Sequence, residues 1–411
     1  MPEANKHEPQ LKRSLGFVLI TLYGLGTTVG AGIYVLIGKV GERAGLFAPW
    51  SFLLASLIAA FTAFTFAELA SRHPKSAGEA VYAMEAFGSR ALATGIGLCV
   101  ALAAVVSAAT MARGFAGYVG VLVAWPSPLA AALLVISLGA VAAWGIRESV
   151  AVAALFTLLE VGGLLAVIAA GTDALATLPE RLPELVPPLE AVSALGILSG
   201  AVLAFYAFLG FEDMVNVAEE VRNVRRTLPR AIAATLALTM LLYGLVSLVA
   251  VLTLAPAELA RSDAPLALLF TRQTGAPPQV MGVVAALAMV NGGLIQIILA
   301  SRMLYGLGRA GWLPAALGRV HRRTATPLLA TALATAAILA LALGLPLVAL
   351  AEATSFLMLV IFAVLNLALI RLKRRAPRPE GVVTVPLAVP VAGFLVSAGF
   401  VAFELARAFF G

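Results

Sequence analysis

The chain has 411 residues, of which 61% are hydrophobic and only 12% charged, and its mean hydropathy is +1.00. Soluble domains carry about 25% charged residues, so this composition, spread over long apolar runs, excludes a soluble protein and places the chain in a bilayer. One cysteine, Cys99, excludes an internal disulfide framework, and three histidines (His7, His73, His321) in polar loops make no metal cluster.

Apolar runs of about 20 residues, the length a membrane helix needs, fall near 15–38, 47–70, 92–122, 128–145, 150–171, 194–219, 231–254, 279–307, 327–348, 350–370 and 386–408. The reading is an all-α integral membrane protein of about eleven transmembrane helices. Residues 1–14 form a polar cytoplasmic tail, not a cleavable signal peptide, because the apolar run that follows is too long and lacks a small-residue cleavage site.

With the N-terminus cytoplasmic, the inner segments hold 21 Lys and Arg, including Lys75, Arg147, Arg222, Arg225, Arg226 and Arg371. The outer loops hold five: Lys39, Arg43, Arg181, Arg261 and Arg272. This asymmetry follows the positive-inside rule. It assigns the net charge of +7 to topology, excludes a nucleic-acid partner, and puts the C-terminus outside after eleven spans.

The first span reads Gly24-Leu-Gly-Thr-Thr-Val-Gly30-Ala-Gly32-Ile-Tyr-Val-Leu-Ile-Gly38. Each glycine costs a helix about 1 kcal/mol against alanine. Two readings stand together. Gly26 and Gly30 fit a small-residue face for close helix packing. Alternatively the helix breaks around Thr28 to Gly32, exposing N–H groups that suit an anion; such backbone is tolerated only where it lines a cavity. The sixth span carries Gly210 near its middle, followed by Glu212 and Asp213. Carboxylates at that depth are costly and usually functional; the alternative is a helix ending at Gly210 with an amphipathic stretch after it. Two breaks five helices apart fit an inverted repeat with a midplane site.

Further residues carry the pattern on: Ala67-Glu-Leu-Ala70, Pro74-Lys-Ser-Ala-Gly78 with Tyr82 and Phe87-Gly88, Tyr206 through Pro229 with Ala218-Glu-Glu-Val221, and Ser301-Arg-Met-Leu-Tyr305 with Arg309-Ala-Gly311-Trp-Leu-Pro314. With these the chain resembles the amino acid–polyamine–organocation transporter superfamily, above all its bacterial amino acid permeases and cationic amino acid transporters. The resemblance implies a leucine-transporter-like fold: a first five-helix repeat (15–171), a second inverted repeat (194–370) and an eleventh transmembrane helix (386–408). It implies a substrate carboxylate on the amides of Gly30, Ala31, Gly32 and Ile33, and an ammonium on the carbonyls of Thr28, Tyr206, Ala207 and Leu209. Phe211 matches an aromatic that closes the site from outside.

The chain departs from the family in three places. It has one span after the repeats where most relatives have two, Gly78-Glu79 replaces Gly-Gly, and Glu160 stands where proton-coupled relatives often carry lysine. Glu160 is read as a carrier of the coupling proton, or else as a structural carboxylate. Arg113 is read as snorkelling outward, or as a gate or substrate contact, with Glu212 a second possible gate residue. Glu68, Glu219 and Glu220 are read as an inner gate of ion pairs and caps. Asn291 faces the coupling site or bonds another helix, and Glu352 and Asn366 are read the same way.

The expected function is secondary active amino acid transport, proton-coupled, with no cofactor and no enzymatic activity, in a bacterial cytoplasmic (inner) membrane. The expected partners are an amino acid, a proton or other cation, and the lipid bilayer. The alternatives are an amino acid exchanger, a polyamine permease, or a sensor that binds without transporting.

Overall fold

The computed structural model describes residues 15–73, 78–145, 150–188 and 190–410. The polar tail 1–14, the 74–77 part of the Pro74–Gly78 motif with Lys75, and Arg147 lie outside the described residues. The first helices are α1 (Phe17–Thr28), α2 (Ala31–Ala44), α3 (Ala48–Arg72), α4 (Gly78–Phe87), α5 (Arg90–Leu122), α6 (Ser127–Trp144) and α7 (Val150–Ala170). Two short helices, α8 (Thr172–Ala176) and α9 (Leu178–Leu185), lead to α10 (Ala191–Phe208) and a ten-residue 3₁₀ segment (Phe211–Glu220). Then come α11 (Val224–Thr253), α12 (Pro256–Arg261), α13 (Pro265–Thr274), α14 (Gln279–Arg309), α15 (Leu328–Gly344), α16 (Leu347–Arg375) and α17 (Ala388–Phe410).

Among the described residues there is no β-strand, and the protein is an all-α membrane protein. Eight helical stretches are long and apolar enough to cross a bilayer, α2 and α3 forming one of them. Three shorter apolar helices accompany them: Phe17–Thr28, Ala154–Ala170 and Leu328–Gly344. Each predicted span falls on these elements, the first and sixth on two each. The inter-span segments hold short helices (α4, α8, α9, α12, α13) that hydropathy alone does not reveal.

The core lies where α10 packs on α2 and α3, α11 on α3, and α14 along α5. Outward faces carry exposed leucines and valines, the surface a lipid tail would cover. At one end of the bundle, Glu352 pairs with Arg43 and with Arg407 (2.7 Å), which also meets Glu404 (2.8 Å). This network joins the end of α2, the start of α16 and the end of α17, three termini assigned to the same side by the sequence. At the other end, the fully buried Glu68 pairs with Arg72 (2.6 Å) and Lys373 (2.7 Å) and accepts the Val385 N–H (2.7 Å). There too, Leu15 N–H donates to the Glu220 carbonyl (3.0 Å) and Arg222 N–H to that of Leu15 (2.8 Å). Asn366 holds helices together: it donates to Thr62 (2.9 Å) and accepts from Thr65 (2.6 Å), tying α16 to α3.

Candidate functional site

The first helix breaks where its glycines, which lack a side chain and lose most conformational freedom in a helix, are densest. α1 ends at Thr28, Val29 N–H still reaches the Leu25 carbonyl (2.6 Å), and Gly30, at φ −49° and ψ −143°, turns the chain before α2 starts at Ala31. The start of a helix leaves its first N–H groups without acceptors in that helix; here they belong to Ala31, Gly32 and Ile33. Gly30 is buried, yet a β-carbon on it would touch nothing within 4 Å, so open space adjoins the break. The buried Thr28 hydroxyl oxygen has no hydrogen-bond partner.

The second break is built differently. α10 ends at Phe208, Leu209 is extended (ψ 146°), and Gly210 takes φ +121°, a conformation that L side chains rarely adopt. The chain continues as a 3₁₀ segment, so the helix both stops near Gly210 and gives way to an amphipathic stretch. The Glu212 carboxylate folds back to accept the Gly210 N–H (2.9 Å), and Asp213 N–H closes on the Gly210 carbonyl (3.1 Å).

The two breaks meet. Gly32 lies so close to the Ala207 backbone that any β-carbon there would collide with it. The Thr27 hydroxyl donates to the Gly210 carbonyl (2.8 Å). Tyr243, buried on α11, places its hydroxyl between the breaks, 2.9 Å from the Thr28 carbonyl and 3.0 Å from that of Ala207. Sequence reasoning missed Tyr243; its phenol in the middle of an apolar span was the available signal. Of the carbonyls expected to hold an ammonium, those of Thr28 and Ala207 already accept from Tyr243, and that of Tyr206 accepts the Leu209 N–H (3.2 Å). Each carbonyl keeps a second lone pair.

Phe211, expected to close the site from outside, is fully buried in an aromatic cluster, 6.0 Å from Phe66 and 5.7 Å from Phe362 between ring centroids. Its place one residue past Gly210, on the 3₁₀ segment, turns it into the core. Tyr206 is the aromatic near a cavity: its hydroxyl meets Ser107 Oγ (3.1 Å) on α5. Arg113 is half-buried on α5, and it does not line the cavity described below.

Glu160 is buried on α7, beside the first break. It accepts from Asn291 Nδ2 on α14 (3.2 Å), while Tyr34 on α2 donates to its backbone carbonyl (2.6 Å). The neighbouring Thr157 fits against Gly26, where a side chain would collide. Glu160 and Asn291 thus stand together between the first, fifth and eighth predicted spans.

A second feature lies past Gly210. A cavity of about 30 Å³ is lined by Glu79, Glu212, Asp213, Ser107, Gln296 and Thr354, among others. Glu79, from the amphipathic α4, occupies the position where the resemblance expects glycine. Burial pushes its carboxyl up to about 7.

Comparison with known proteins identifies the family. Residues 15–410 match the amino acid permease family. The chain is 32% identical to cationic amino acid transporter 3, mitochondrial, of Arabidopsis thaliana, over 79% of this chain and 56% of that protein. It therefore spans little more than half the length of that relative. It is 31% identical to an uncharacterized transporter of Mycobacterium bovis (90% and 83% covered). It is 28% identical to the branched-chain amino acid permease BcaP of Bacillus subtilis (91% and 84% covered). With nearly its whole length matched, and two broken helices packed face to face at its centre, the chain belongs to the amino acid permease family.

Proposed function

We propose that this protein is a secondary active amino acid transporter that binds its substrate between the two breaks. The observation that carries the reading is their junction: a helix start at Ala31 facing open space beside Gly30, with the unpartnered Thr28 hydroxyl, the carbonyl-rich turn at Leu209–Gly210 and Tyr243 around it. The positive end of α2 attracts the substrate carboxylate. Carbonyls at the ends of α1 and α10 attract the ammonium. One amino acid then satisfies both breaks at once, and the helices can rock about their two flexible points. The repeats 15–171 and 194–370 supply one break each.

Transport is coupled to protons through Glu160, whose carboxylate, held by Asn291 beside α2, senses both charge and the position of the first break. The positive-inside asymmetry supports an N-terminus in the cytoplasm and a C-terminus outside, in a bacterial inner membrane. The named relatives, a cationic amino acid transporter and a branched-chain amino acid permease, support an α-amino acid as the shared substrate element.

The test is uptake of labelled amino acids by proteoliposomes carrying the purified chain. Accumulation driven by an inward proton gradient, and abolished when the gradient is collapsed, is expected. Binding of amino acids with no accumulation under any gradient would favour a sensor and overturn the transport reading.

A further inference from the structure

The carboxylates past the second break are not needed to hold an amino acid at the junction. Three of them converge from two segments that lie more than 130 residues apart in sequence. Glu79 comes from α4, and Glu212 and Asp213 from the 3₁₀ segment, and all three are buried and line one cavity. Glu212 is engaged with the Gly210 N–H (2.9 Å) and Asp213 with Gln296 Nε2 (3.5 Å). Glu79 is 1% exposed, and its Oε2 has no hydrogen-bond partner although it lies against the cavity. Among the described residues, no Lys, Arg or His lines that cavity. Among the described residues, the other titratable groups nearby are Tyr82, on α4 beside Glu79, His73, whose ring lies 6.4 Å from that of Tyr82, and Tyr206, reached through Ser107. The groups facing in from α14 and α16, Gln296 and Thr354, are neutral.

Three anions buried together without a cation repel one another, and each has lost its hydration. A volume of about 30 Å³ has room for about two water-sized occupants, at ~10–15 Å³ each, and none for an amino acid. We propose that Glu79, Glu212 and Asp213 form a proton-binding site distinct from Glu160, and that a proton held there clamps α4 to the 3₁₀ segment. The clamp is local. α4 begins against that segment, with Asn216 Oδ1 3.0 Å from where a β-carbon on Gly78 would lie. When the site is empty of protons, repulsion between Glu79 and the 3₁₀ carboxylates parts the two elements. The site thus sets the pH range in which this side of the bundle stays closed, independently of which amino acid is carried.

The experiment is thermal unfolding of the purified full-length chain in detergent from pH 5.5 to 9, in potassium and in sodium buffers of equal ionic strength. The wild type is expected to lose roughly 5 °C in Tm between pH 6 and 8.5, alike in both salts. Glu79→Gln and Asp213→Asn are each expected to remove at least half of that loss, and Glu79→Asp to keep it. Should Glu79→Gln fail to fold, Asp213→Asn carries the test. At pH 6, Glu79→Gln is expected to keep the wild-type stabilisation by amino acids, which separates this site from the substrate site. Two results would overturn the proposal: an unaltered pH slope in both neutral variants, or a Tm at pH 8.5 rescued by sodium but not by potassium.

Discussion

Substituting Gly210 by alanine tests how the second break is built. Its φ of +121° lies where a β-carbon strains the backbone, at a cost of about 1–3 kcal/mol. The same β-carbon would overlap the carbonyl of Thr27 and come within 2.8 Å of the Thr28 nitrogen. Those are rigid backbone atoms, so the two breaks must separate. Separation loses the Thr27–Gly210 hydrogen bond, about 1 kcal/mol, and loosens the Tyr243 contacts with both carbonyls. The sum is about 2–4 kcal/mol. Gly244, within α11, is the control: a β-carbon there meets nothing within 4 Å. Alanine at 244 is expected to be neutral, or to stabilise by up to about 1 kcal/mol as a better helix former. The assay is thermal unfolding of both variants with and without the amino acid that most stabilises the wild type. Gly210→Ala is expected to lower Tm by several degrees and to lose the ligand-induced rise; Gly244→Ala to keep both. A Gly210→Ala protein with wild-type Tm and ligand response would refute the reasoning.

Removing the Tyr243 hydroxyl by Phe leaves the packing intact but strips the donor from the Thr28 and Ala207 carbonyls; a loss of about 1–2 kcal/mol is expected in thermal unfolding, with weaker amino acid binding by calorimetry. Glu68→Gln strands the buried Lys373 without its full countercharge and should cost about 3–5 kcal/mol, whereas Glu68→Gln with Lys373→Met should recover much of that stability; equal losses in the single and double variants would argue against a buried ion pair. Glu160→Gln should abolish proton-driven accumulation in proteoliposomes while leaving amino acid binding within a few fold; intact pH-driven uptake would remove Glu160 from coupling.

Both breaks were legible in the sequence because each needed glycine where a membrane helix tolerates it poorly. The glycines divide by task, however, in a way that spacing does not announce. Gly26 packs on Thr157 and Gly24 against Met214 and Thr235, as a small-residue face does, while Gly30 turns the chain beside open space. Glu160 and Asn291 were visible as costly polar groups in apolar spans, but their pairing across 131 residues was not. Asn366 proved to be a bond between helices, and Glu352 part of an ion-pair network at a bundle end. The packing of Phe211 against Phe66 and Phe362, one residue past a φ of +121°, was not readable from a linear match. The carboxylate cavity was hidden for the same reason that Tyr243 was. Its members come from different helices, and only packing brings Glu79 to Asp213.

The central claim is that one zwitterion bridges the two breaks, carboxylate on α2 and ammonium on the carbonyls. Binding competition between a free amino acid and its methyl ester, measured on the purified chain, tests it most directly. The ester keeps the side chain and ammonium but lacks the anion, so it is expected to bind at least tenfold more weakly, a loss of about 1.4 kcal/mol or more. Equal affinity for acid and ester would contradict the assignment of the α2 start as the carboxylate site.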